Sequence, residues 1–175
     1  SGIRDLPDLV RRALADPEGV TISTSGIGTD DHLLLVMLGR ATGARFTLVH
    51  YNGAPQQRTA LIGGLVHANM VSVGEVMPDP NGVRFIAHAG AAESRFAPGV
   101  RTFRSLGFDM EMHSERGIVL PCGTPAAIVE RWRDAVQETA QDPATRRTFE
   151  AQFIEPNYVV APERSGRSGC QDGTD

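Results

Sequence analysis

The residues best equipped for chemistry lie together in residues 21–33, TISTSGIGTDDHL. A short apolar run enters a Gly/Ser/Thr turn, and an apolar helix-like run, Leu33 to Leu38, follows. Gly26 and Gly28 carry no Cβ, so they admit positive φ and let a ligand approach the backbone closely. Thr29 or Asp30 can cap the next helix, whose first turn then points unpaired N–H groups and a partial positive charge at the turn. Such a turn suits a carboxylate or a phosphate. An ordinary strand–turn–helix connection uses the same residue types.

Other chemistries fit less well. Asp30, Asp31 and His32 are adjacent, and helix neighbours point about 100° apart, so they cannot converge on one metal. Gly26 and Gly28 lack a third glycine, because position 31 is Asp, and no Gly-Lys-Ser/Thr follows, which argues against a nucleotide. His50, His67, His88 and His113 lie in or beside expected strands, where satisfied structural histidines are commoner than catalysts. Ser23 to Gly28 only loosely matches a nucleophile elbow, since position 23 is Ser where Gly is needed. Cys122 precedes a helix start that could lower its pKa, but no base partner is assignable, so an inert thiol is expected. Trp132 sits on a helix stripe and is expected in the core.

The elements that must position the turn follow from pattern. Asp5 to Ala15 reads as a helix with Leu6, Leu9, Val10 and Leu14 inward, then a strand at Val20 to Ser23. A helix from about Asp30 to Ala41 is apolar all round and is expected to be buried. Phe46 to Tyr51 is strand-like, Gln56 to Ile62 a short helix, Val66 to Val73 a strand, Gly74 to Met77 a helical turn and Val83 to Ala89 a strand. This alternation predicts an α/β fold with a mainly parallel sheet flanked by helices. Thr102 to Leu106 reads as a helical turn and Met110 to Leu120 as extended. Thr124 as cap and Pro125 in the first turn open a helix with Ile128, Val129, Trp132 and Val136 as its stripe. Asp142-Pro143 opens another to about Gln152; Glu155 to Val160 reads as a strand and the polar tail from Pro162 as disordered.

Composition bounds the class. The 175 residues carry a net charge of −4 with 41% hydrophobic content, and all 17 basic residues are arginine. There is no basic stripe, which argues against nucleic acid. Cys122 and Cys170 make neither a zinc site nor a disulfide framework. The chain opens at Ser1 without a charged and apolar leader, so no signal peptide is expected within it.

Several segments together resemble one family, the extracytoplasmic solute receptors of tripartite tricarboxylate transporters, or Bug-type periplasmic binding proteins. The carriers are Ser-Gly-x-Gly-Thr-x-x-His-Leu ending at Leu33, the run Val49 to Gly53, and Thr59 to Val66. Leu120 to Pro125 and the Asp142-Pro143 helix complete the ordered set, which spans about residues 5 to 160. The resemblance implies a type II periplasmic-binding fold, two α/β lobes closing on a small carboxylate held by helix N-termini, amides and water. It maps Thr24, Ser25, Gly26, Gly28 and Thr29 onto the anion-facing turn of the second lobe, with His32 following. Tyr51 and Gly53 map to the neighbouring strand end and Ser72 to the cleft edge. It also implies a periplasmic location and presentation of the solute to membrane transporter subunits, with no catalysis, cofactor or metal.

The match departs in places. His50 stands where the family has Pro, and His67 where it has Asp. The first-lobe half of the pattern is missing, so a fragment or truncated form is expected. Residues 1–110 read as the second lobe, 111–161 as a hinge crossing and partial first-lobe segment with helices at about 125–140 and 143–152, and 162–175 as a disordered tail. The helices of 125–153 are expected to pack on the lobe or on a second copy, as a homodimer. A rival reading is a small α/β hydrolase or transferase using Cys122 or a serine near 25 with a strand histidine. A binding-dead remnant acting as an interaction domain is a third.

Overall fold

The structure, a computed structural model, describes residues 2–114 and 117–155. The chain divides into two compact units, Ser1–Glu115 and Arg116–Asp175. The first holds a parallel sheet of three strands, β1 (Thr21–Thr24), β2 (Thr47–His50) and β3 (Ala68–Asn69), in the order β2-β1-β3. Its helices are α1 (Leu6–Ala15), α2 (Asp30–Thr42), α3 (Ala54–Ile62) and the single turn α4 (Val73–Val76). The second unit holds α5 (Ala126–Gln141) and α6 (Pro143–Ala151). The expected parallel α/β architecture is therefore what the chain forms.

Local sequence explains the helix ends. Asp5 caps α1 by accepting from Asp8 N at 2.7 Å, with a proline in the first turn. Period 3.6 places Leu6, Leu9, Val10 and Ala13 in the core, and leaves Leu14, expected inside, 51% exposed. Asp8 is also buried, and it stands there because Arg4, Arg11 and Arg12 all pair with it. The Arg4 backbone N–H holds the Asp8 carboxyl below its usual range, with the arginines assisting against desolvation. Helix α2 ends at Gly43, whose φ of 75° places it in the left-handed region where its N–H reaches Gly39 O at 2.8 Å.

Several expectations fail for identifiable reasons. Helix α2 is one-sided: Leu34, Leu35 and Leu38 are buried while Leu33 and Met37 face out. A helix covering one face of a small sheet has only one side to bury. The strand expected at Val66 to Val73 shrinks to Ala68–Asn69. Val83 to Ala89 forms no strand; it makes one isolated parallel bridge, His88 to Thr102, and Ala89 O accepts from Met112 N at 2.9 Å. Ile86, Ala87 and Ala89 still pack against the core, so apolar content is used without a ladder. Thr102 to Leu106 is a 3₁₀ turn over Arg104–Leu106.

In the second unit, Pro125 occupies the cap position of α5 without a side-chain bond, and Thr124 Oγ1 instead donates to Pro121 O at 2.7 Å. Asp142 does cap α6, accepting from Thr145 N at 2.7 Å, and that bond lowers its pKa. Neither helix contains a buried residue, and Trp132, expected in the core, is 47% exposed. The strand expected from Glu155 and the tail from Pro162 fall, apart from Glu155 itself, outside the described residues.

Leu38 is fully enclosed and Leu33 is 48% exposed on the same helix. Leu38→Ala is expected to cost about 2–5 kcal/mol in urea denaturation, and Leu33→Ala less than about 1 kcal/mol. Equal losses would contradict the one-sided packing of α2.

Candidate functional site

The carboxyl ends of the three strands meet at a polar cluster. Ser23 and Thr24, the last residues of β1, have no exposed surface at all. Buried hydroxyls demand partners. Ser23 Oγ donates to Asn69 Oδ1 of β3 at 2.6 Å. Gln57 of α3 is equally enclosed. With its amide nitrogen donating to Met70 O at 3.1 Å and Ser23 Oγ at 3.2 Å, its oxygen accepts from Ser25 N at 3.2 Å. Thr24 Oγ1 lies 2.6 Å from His50 Nδ1 at the end of β2. One helix glutamine, one asparagine and one histidine therefore tie the strand ends together.

Beyond β1 the chain turns through Gly26, φ 148°, and Gly28, φ 82°, into α2. Thr29 caps the helix: its Oγ1 donates to Gly26 O at 2.8 Å and accepts from His32 N at 3.4 Å. Gly28 N donates to His32 Nδ1 at 3.0 Å. Ser25 donates to Asp31 Oδ2 through Oγ at 2.6 Å and N at 3.3 Å. Among the described residues, the N–H groups of Gly26, Ile27, Thr29, Asp30 and Asp31 have no hydrogen-bond partner. These five form a concentration of unpaired donors at the tip of the central strand.

Of the residues expected in the site, Ser25, Gly26, Gly28, Thr29 and His32 lie in this turn and first helical turn, half-buried or exposed. Thr24 is sealed beneath it. Gly28 is at the surface, but its amide is taken by His32, so it contributes open space and not a donor; a Cβ there would meet nothing within 4 Å. Tyr51 follows β2 and its N–H is spent on Thr24 O at 3.0 Å. Gly53, φ 102°, caps α3, and Ser72 caps α4 with its N–H on Glu75 Oε2 at 3.3 Å. An open depression of about 390 Å³ runs from Tyr51 along Pro55, Thr59 and Leu65, beside the turn but not within it. Gln57 and His50 are the residues that pattern reasoning left out of the site. A glutamine on a helix gives no signal by type; its burial alone marks it.

The nucleophile reading loses its geometry. Ser23 Oγ and Ser25 Oγ are bonded to Asn69 and Asp31, not to a histidine. Two hydroxyls do meet an imidazole: Thr24, which has no access to a substrate, and Thr21, whose Oγ1 lies 2.7 Å from His67 Nδ1 at the other end of β1, away from the strand tips. Cys122 is disulfide-bonded, not the free thiol expected. His67 accepts from Thr21 N at 3.1 Å at the opposite, amino edge of the sheet. Among the described residues, no group of three or more His, Cys, Asp or Glu stands where it could hold a metal.

Comparison with known proteins settles the family. The model of the tripartite tricarboxylate transporter family receptor, TctC, matches residues 1–164. The chain belongs to this family. BugT of Bordetella pertussis is 27% identical over 164 residues, covering 91% of this chain and 50% of its own length. The fold matches the Rhodopseudomonas palustris protein Rpa4515, determined with adipate, at a TM-score of 0.76 and 22% identity, covering 89% of this chain and 53% of that one. It also matches MatC of the same organism, determined with malate, at a TM-score of 0.68 and 19% identity over 87% and 53%. The chain thus spans about half the length of the receptors it matches. TctC receptors are solute-binding proteins of periplasmic-binding type.

Asp31 offers a test of the turn. Burial raises its pKa above 3.8; the bonds from Ser25 pull it down by less, and repulsion from Asp30 adds a smaller push upward. The folded state therefore holds the Asp31 proton more tightly than the unfolded chain, so this group makes stability fall as pH rises above about 3.8. Asp31→Asn does not titrate there. Thermal melts across pH 4 to 7 are expected to show the Asn variant gaining on the parent as pH rises; a gap moving the other way would place Asp31 in a charge-stabilised setting.

Proposed function

We propose that this chain is one wall of a periplasmic solute-binding cleft that captures a small carboxylate for a membrane transporter, without catalysing a reaction. The observation that carries the reading is the set of five unpaired N–H groups from Gly26 to Asp31 at the carboxyl tip of the central parallel strand. Open parallel sheets take ligands at that edge, and the α2 dipole adds partial positive charge there. Two of the receptors that share the fold were determined with dicarboxylates, adipate and malate.

In this reading the carboxylate sits over Gly26 and Gly28 and accepts from the amides of Thr29, Asp30 and Asp31. Ser25, His32, Tyr51, Gly53 and Ser72 border it, and Thr24 supports it from beneath. Residues 1–110 act as the second lobe and 111–161 as the crossing towards the first.

Magnitudes bound the affinity. Each charge-assisted bond is worth about 1.5–3 kcal/mol, while association costs at least about 4 kcal/mol. The carboxylates of Asp30 and Asp31 oppose a second anion. Binding by one open wall is therefore weak, with a Kd of about 1 mM, or about −4 kcal/mol.

Titration of the full chain with adipate and malate, followed by backbone amide NMR shifts, is expected to saturate in that range and to move Gly26, Thr29 and Asp30. The matching diamine should move none of them. Gly28→Val places a branched side chain over the turn and should weaken binding about tenfold or more. Carboxylate shifts that avoid residues 25–32, or an unchanged affinity in the valine variant, would overturn the assignment.

A further inference from the structure

Two imidazoles stand at this turn, His32 on the first turn of α2 and His50 at the end of β2. Their ring centroids are 5.3 Å apart and their planes meet at 87°. Both are anchored through the same nitrogen. His32 Nδ1 accepts from Gly28 N at 3.0 Å, so that nitrogen carries no proton and the neutral ring holds its proton at Nε2. His50 Nδ1 meets Thr24 Oγ1 at 2.6 Å, and there the hydroxyl decides. The other contact of Thr24 Oγ1 is Gly26 O, 3.5 Å away and already accepting from Thr29 Oγ1 at 2.8 Å. With the Thr24 proton on the nearer of these two contacts, His50 Nδ1, His50 too is protonated at Nε2. Neither Nε2 has a hydrogen-bond partner among the described residues. The two nitrogens of an imidazole face away from each other, so a ring anchored through Nδ1 presents its Nε2–H away from the anchor.

We propose that His32 and His50 act as a paired imidazole donor to the carboxylate of the ligand, with His50 a specificity-determining residue and Thr24 its positioning residue. The inference rests on the carboxylate reading above and adds a binding residue to it. His32 replaces the Gly28 amide it consumes: the turn donates to Nδ1 and the ring donates onward from Nε2. Donors without a paired acceptor favour a group that only accepts. A carboxylate meets that condition, and a primary amide does not, because its NH₂ would face two N–H groups.

Two-bond ¹⁵N–¹H spectra of the labelled full chain read the tautomer of each imidazole, with adipate as the probe and His67, His88 and His113 as internal controls. The expected result is the Nε2–H tautomer for both His32 and His50. Their Nε2 signals should then shift with adipate at the concentrations that move the Gly26 and Thr29 amides. His50→Phe should weaken adipate about tenfold, whereas His50→Gln, which keeps an N–H donor at similar reach, should stay within about threefold. Thr24→Val should mix the His50 tautomers and leave His32 unchanged. If adipate moves the turn amides and neither imidazole, or if the Phe variant binds like the parent, the proposal is overturned and the carboxylate reading stands. If adipate moves no signal at all, both fall.

Discussion

A parallel strand that ends in two fully enclosed hydroxyls constrains everything around it. Ser23 and Thr24 close β1 at the centre of the sheet with no access to water. Leaving either unpaired would cost about 1–3 kcal/mol. Their partners come from the neighbours: Asn69 from β3, Gln57 from α3 and His50 from β2. The strand ends are therefore fixed relative to one another by hydrogen bonds as well as by the short ladder. A sheet whose third strand is only Ala68–Asn69 gains much of its definition from this cluster.

The turn inherits its exposure from that arrangement. Once Ser25 N is held by Asp31 and Gln57, and Gly28 N by His32, the remaining amides from Gly26 to Asp31 have no hydrogen-bond acceptor among the described residues. Unpaired helix N-terminal donors are ordinary. Their placement beside two imidazoles at the strand tips is what the proposed carboxylate site draws on. Asp31 opposes that proposed role: its carboxylate lies at the same helix end, drawn in by Ser25. Burial disfavours its charge and so weakens, without removing, its competition with a bound anion.

Much of the fold could be read in the residues. Asp5-Leu-Pro and Thr29-Asp-Asp announce helix starts through capping chemistry, and Gly43 announces a stop, because these signals act locally. Burial was less legible. The run Leu33 to Leu38 looks uniformly apolar, yet only the side facing the sheet is covered, and that depends on how many strands exist. Val83 to Ala89 has strand composition but lacks a neighbour with which to pair beyond His88 and Thr102. Trp132 and Ile128 make a core-like stripe on a helix with no buried residue. For the proposed site, the turn through Gly26 and Gly28 that the residue types and spacing predict is present between β1 and α2. Gln57 and His50 were not legible, because what marks them is a partner some 26 or 34 residues away.

The chain belongs to the TctC receptor family and spans about half the length of the relatives it matches, and the proposed carboxylate site lies at the strand tips of its first unit. The claim beneath this account is that the turn amides are unpaired in the free protein and are paired by a carboxylate. Amide hydrogen exchange, measured residue by residue, tests it directly. The account predicts fast exchange at Gly26, Ile27, Thr29, Asp30 and Asp31 in the free chain, slow exchange at Ser25 and Gly28 throughout, and slowing of Thr29, Asp30 and Asp31 under saturating adipate. Protection of those amides without ligand, or exchange that adipate leaves unchanged, would contradict it.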